Sequence, residues 1–89
     1  MCRNITELRG LEPPATSTEV EAAARQYVRK VTGVQKPAPG AAEAFESAVR
    51  DIAATTATLI AALPPRKQPP PTVPPLRRPE VRARLGLPT

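Results

Sequence analysis

Residues 16–33 read Thr16-Ser17-Thr18-Glu19-Val20-Glu21-Ala22-Ala23-Ala24-Arg25-Gln26-Tyr27-Val28-Arg29-Lys30-Val31-Thr32-Gly33, and this stretch decides the fold class. Val20, Ala23, Ala24, Tyr27, Val28 and Val31 recur at helical steps, forming one apolar stripe on a 3.6-residue period. Glu21, Arg25, Arg29 and Lys30 fall on the other faces. Two capping boxes fit the start, Thr16 with Glu19 or Thr18 with Glu21. Each sets a hydroxyl and a carboxylate against the free N–H groups of a first turn. Basic Arg29 and Lys30 suit the last turn. Gly33 is placed for the left-handed position after the helix, followed by apolar Val34. An amphipathic helix therefore starts near Thr16, with Tyr27 on its core side.

Toward the C-terminus, Gln35 to Gly40 is a connector kept extended by Pro37 and Pro39. A second helix is expected from about Ala41 to Leu63. Its stripe is Phe45, Ala48, Val49, Ile52, Thr56, Leu59, Ile60 and Leu63. Pro64 stops it, because the residue before a proline resists the helical region. The second helix spans roughly 33 Å and the first roughly 23 Å. Paired antiparallel, the second overhangs by about two turns at the end that carries Leu59, Ile60 and Leu63. Ile5, Leu8 and Leu11 are the natural cover for that end, and a second protomer is the alternative cover.

Toward the N-terminus, residues 4–9 read as a short helical turn. Asn4 caps it, Glu7 completes the capping box, Ile5 and Leu8 share a face, and Gly10 ends it. Glu12-Pro13-Pro14 is an extended connector. From Pro64 the chain runs Pro-Pro-Arg-Lys-Gln-Pro-Pro-Pro-Thr-Val-Pro-Pro, polyproline II material that builds no packed core. Residues 78–85 suit a two-turn helix with Pro79 in the first turn and Gly86 closing it. The expected fold is all-α. An antiparallel two-helix hairpin with a short N-terminal helical turn occupies residues 1–63. A Pro/Arg-rich, largely disordered tail occupies 64–89.

At 89 residues the chain holds one domain at most. Residues 64–89 contain nine of the 13 prolines, which leaves about 63 residues for a core. So small a domain buries roughly 60% of its unfolded surface and is marginally stable. The formal charge of +5 is uneven. Residues 1–63 carry seven cations and seven anions, whereas Arg66, Lys67, Arg77, Arg78, Arg82 and Arg84 face Glu80 alone. The asymmetry fits an arm that meets an anionic partner. A high Arg, Ala and Pro content also fits the coding bias of a GC-rich genome. One cysteine forbids an internal disulfide, and the absence of histidine removes the commonest metal ligand and general base. No apolar signal-peptide run follows the start, and residues 52–63 are too short and threonine-rich to span a bilayer. The expectation is a cytoplasmic protein that makes no membrane contact.

The residues also carry a family resemblance. Met1-Cys2-Arg3-Asn4-Ile5, Glu12-Pro13-Pro14-Ala15-Thr16, Ala22 through Gly33, Lys36-Pro37 and Ala44-Phe45-Glu46-Ser47-Ala48-Val49 together resemble the short bacterial proteins of domain-of-unknown-function family 2277. The resemblance covers roughly residues 1–63 and leaves the tail outside. It implies a small helical bacterial protein and adds no mechanism.

Candidate functional residues are few. Removal of Met1 would expose Cys2 at a positive α-amine beside Arg3, which favours the thiolate. The plain reading is a small apolar residue packed under Ile5. Arg25, Arg29, Lys30 and Lys36 cluster around the end of the first helix and suit anion contact. A solvated charged face is the plainer account. In the tail, Arg77, Arg78, Arg82 and Arg84 are the remaining candidate anion contacts. Helix-turn-helix readout of DNA is disfavoured by the long proline-bound connector. Glu43, Glu46 and Asp51 read as surface carboxylates near Arg50. Ser47 has no base, and no glycine loop cradles a phosphate. Pro71-Thr72-Val73-Pro74 has PxxP form and reads as a spacer.

The expected function is therefore a non-enzymatic interaction protein with no cofactor and no metal. Its hairpin docks or dimerises through the apolar stripe of the second helix. Its basic tail makes weak, non-specific contact with nucleic acid or an acidic protein. The alternative is a thiol-dependent redox or metal-linked role centred on Cys2.

Overall fold

The structure is a computed structural model that describes residues 5–87. It holds α1 (Ser17–Thr32), α2 (Ala42–Ala62) and α3 (Pro79–Arg84), with 3-10 turns at Pro39–Ala41 and Pro75–Arg77. No strand occurs among the described residues, so the fold class is all-α.

The start of α1 uses the first of the two capping boxes. The Glu19 amide donates to the Thr16 hydroxyl at 3.2 Å, and the Thr16 amide donates to Glu19 Oε1 at 2.9 Å. At the other end Gly33 takes φ +73°, and its amide donates to the Arg29 carbonyl. α2 has no side-chain cap; the 3-10 turn led by Pro39 feeds straight into it. α2 ends where Leu63 turns extended ahead of Pro64.

The two long helices meet along their stripes. Ala24 and Val28 of α1 pack on Phe45 and Val49 of α2, with Ala48, Ile52 and Ala53 at the edge. Leu8, Leu11 and Val20 form a second cluster, edged by Ala15, Ala53 and Ile60. Ala53 borders both clusters and joins them. The end of α1 thus lies beside the start of α2, and Val20 near the start of α1 lies beside Ile60. Leu8 and Leu11 belong to the cluster that packs on Ile60 near the end of α2, whereas Ile5, expected to share that cover, is exposed. The cover is partial, because Leu59 and Leu63 remain exposed. Tyr27 departs from expectation. It is 49% exposed, so the stripe's aromatic sits on its edge and not in the core.

The short N-terminal helical turn is not found. Residues 5–8 are non-helical, and a turn follows at Arg9-Gly10. Glu7 pairs with Arg66 at 2.6 Å, so its carboxylate is engaged across the fold. Gly10 takes φ +88° between buried Leu8 and buried Leu11. Asn4, the expected cap, lies outside the described residues.

The C-terminal segment also differs from expectation. Its anticipated helix is present as α3, six residues long. Around it, Pro70, Pro74 and Pro75 are buried. Proline suits this role, since its ring packs without leaving an amide N–H to be satisfied. Over 75–84 the stretch expected to be largely disordered thus carries two short elements. An ion pair between Arg77 and Glu19 ties them to α1.

Candidate functional site

Residues 5–9 cross the exposed edges of α1 and α2 and leave an open cleft of about 450 Å³. Val20, Ala23 and Tyr27 form one wall; Ile52, Thr56 and Ile60 form the other. These are i, i+3 or i+4 positions, so each helix presents them along one face. Val20 and Ile60 share a cluster with Leu8 and Leu11, which marks one end of the cleft; Tyr27, about two turns on from Val20, marks the other. Glu7, Arg9 and Arg66 are the charged residues in the lining. Arg66 is paired with Glu7, and Arg9 Nη1 donates to the neutral carbonyl of Pro64 at 2.9 Å. Thr6 also borders the cleft, and its buried hydroxyl makes no hydrogen bond among the described residues.

A second constellation lies at the start of α1. Glu19, which closes the capping box, is itself buried. Arg77 grips it with two parallel bonds, Nε to Oε2 at 2.7 Å and Nη2 to Oε1 at 2.9 Å. Arg77 Nη2 also donates to the Pro14 carbonyl at 3.0 Å. The Arg77 hydrogen bond holds the Glu19 carboxyl below its ordinary range, helped by Thr16 and opposed by burial. The same bond raises the guanidinium of Arg77. Such a fork-to-carboxylate geometry is the strong form of ion pair.

The structure does not gather the expected anion contacts into one site. Arg25 makes a bidentate pair with Glu46 across the helices, at 2.7 and 2.9 Å, and reaches Glu21 at 3.2 Å. Its guanidinium is raised chiefly by the Glu46 bond, and the Glu46 carboxyl is lowered chiefly by the same bond. Arg25 is therefore a clamp between α1 and α2. Arg29 Nε donates to the Gln35 carbonyl and steadies the connector. Lys30 and Lys36 are exposed. In the C-terminal segment Arg77 is consumed by Glu19, and Arg82 Nη1 donates to the Leu76 carbonyl at 2.8 Å. Arg78 is half-buried, while Lys67 and Arg84 are exposed. Cys2 lies outside the described residues. Pro74, the second proline of the PxxP match, is buried.

Sequence reasoning missed Arg77 as the partner of Glu19 and missed the cleft. Glu19 satisfied a capping rule completely, so no unmet need pointed to a cation 58 positions away. The exposed edge of Tyr27 was hidden because a stripe gives a face and not a depth. Among the described residues no three metal-ligating side chains converge, and no helix is long and apolar enough to cross a membrane.

A family model described as an uncharacterized conserved protein (DUF2277) matches residues 1–84. The match runs past residue 63, where the resemblance was expected to stop, to the last residue of α3. No curated protein and no solved structure matches the chain.

Proposed function

Since the chain belongs to the DUF2277 family, whose description carries no activity, we propose its function from its own surface: a non-enzymatic interaction protein of the bacterial cytoplasm whose basic C-terminal segment contacts an anionic partner, nucleic acid or acidic protein. The hairpin of α1 and α2 is the scaffold for that segment. The observation that carries this reading is the charge distribution. Residues 64–89 hold six cations against Glu80, while the remainder is balanced. Lys67, Arg78 and Arg84 make no ion pair among the described residues.

The contact is electrostatic and sequence-independent, because the segment has no aromatic side chain for stacking on bases. Three cations engaging three phosphates give a log–log salt slope of roughly −3 on duplex DNA, since each phosphate contributes about −0.9. Fluorescence anisotropy with labelled duplex and single-stranded DNA tests this, with a polyglutamate competitor to detect an acidic-protein preference. Binding at low salt, lost in a Lys67→Ser/Arg84→Ser double variant, supports the reading. No binding of either polyanion at low salt contradicts it.

A further inference from the structure

We infer that the cleft between residues 5–9, α1 and α2 binds a small amphiphile with an apolar body and an oxyanion head. The size, walls and charge all point the same way. Ligand sites are typically concave volumes of roughly 300–1,000 Å³ with apolar walls and a few polar groups. This cleft is about 450 Å³ and is walled mainly by Val20, Ala23, Tyr27, Ile52 and Ile60. The apolar wall from Val20 to Tyr27 is about 10 Å long, the rise of seven helical residues. An extended medium-length acyl chain or an aryl group matches that length.

The head is chosen by charge. The lining carries two guanidinium groups, Arg9 and Arg66, and one carboxylate, Glu7. Arg66 is spoken for by Glu7. Arg9 spends one N–H on a neutral carbonyl and makes no ion pair among the described residues. A guanidinium has five donors in a fixed fork suited to a planar carboxylate. Arg9 bonds to Pro64, two residues past the end of α2, and lines both this cleft and the adjoining hollow that Pro64 borders, so it stands at the end of the cleft near the close of α2. A carboxylate at Arg9 with its tail running toward Tyr27 fills both the charge and the apolar volume. Carboxylates, sulfonates and phosphate esters share this chemistry. The inference is independent of the proposed role of the basic segment, since none of Lys67, Arg78 and Arg84 lines the cleft.

The test uses the full chain and three ten-carbon probes below their micelle thresholds: decanoate, decanol and decylamine. Tyr27 is the one tyrosine and there is no tryptophan, so intrinsic fluorescence reports this cleft alone. Decanoate should bind saturably, about tenfold tighter than decanol, the usual worth of one charge-assisted bond. Decylamine should bind weakest. Amide shifts in a ¹H–¹⁵N spectrum should centre on Ala23, Tyr27, Ile52 and Ile60. Arg9→Ser should bring decanoate down to the level of decanol and leave decanol unchanged, while Arg9→Lys retains most of the preference. Should Arg9→Ser fail to fold, Ala23→Phe fills the cleft from the helix and should abolish all three. Equal binding of the three probes overturns the inference, as does no saturation by decanoate at millimolar concentration. So does concentration-dependent self-association removed by Tyr27→Lys, which would make a second copy the occupant.

Discussion

Val49 has no exposed surface, whereas Ile52, one turn along the same stripe, is only partly buried. Burial depth therefore ranks the core. Val49→Ala should cost about 2 kcal/mol and Ile52→Ala about half that, measured by urea denaturation; the reverse order would show that the stripe is rotated. Gly10 and Gly33 form a second pair. Both sit at positive φ, so alanine at either is strained by about 1 kcal/mol. At Gly33 nothing lies within 4 Å of an added Cβ; at Gly10 the Cβ and Cδ of Arg66 lie at 2.8 Å. Gly10→Ala should thus be clearly the more destabilising, and equal losses would deny the close approach of Arg66. Thr6 adds a third case. Its hydroxyl is buried without a partner among the described residues, so Thr6→Val should raise stability by about 1 kcal/mol in the same assay. Positions such as Gly33 were legible in the sequence because a local rule fixes them. Tyr27 was not, because a 3.6-residue period places a side chain on a face and leaves its depth to whatever packs against that face.

α1 shows how one residue serves two levels of structure. Glu19 closes the capping box with Thr16 and is the counter-ion of Arg77. The sequence displayed the first role through the spacing of Thr16 and Glu19; the second depends on a fold-back that no local pattern encodes. The N-terminal segment failed for a related reason. Asn4 and Glu7 satisfy the capping rule on paper, but Glu7 has a better partner in Arg66, brought near by tertiary structure. The Glu19 pairing has a pH signature. Its folded carboxyl lies below the ordinary value of 4.5, so the stabilisation is complete above about pH 5 and is lost as pH falls through the lowered value. Stability measured from pH 7 down to pH 2 should fall in the acid limb, and Glu19→Gln should flatten part of that fall. An unchanged acid limb in the variant would place the titration elsewhere.

At the scale of the molecule, the chain is bound together by contacts of the C-terminal segment with both the N-terminal segment and α1. Arg9 reaches Pro64, Glu7 holds Arg66, and Arg77 seals the start of α1. Composition alone concealed this, since nine prolines in 26 residues read as a largely disordered tail. Truncation after Leu63 should accordingly keep most of the helical circular dichroism, which α1 and α2 supply, but lower the melting temperature. An unchanged melt would mean that the segment contributes nothing to the fold. The most direct measurement is a double-mutant cycle on Glu19→Gln and Arg77→Met by equilibrium denaturation at neutral pH. Both side chains are largely buried, at 5% and 17% exposure, so the pair should couple by about 1–3 kcal/mol. A coupling energy indistinguishable from zero would contradict the docking of residues 75–84 on α1.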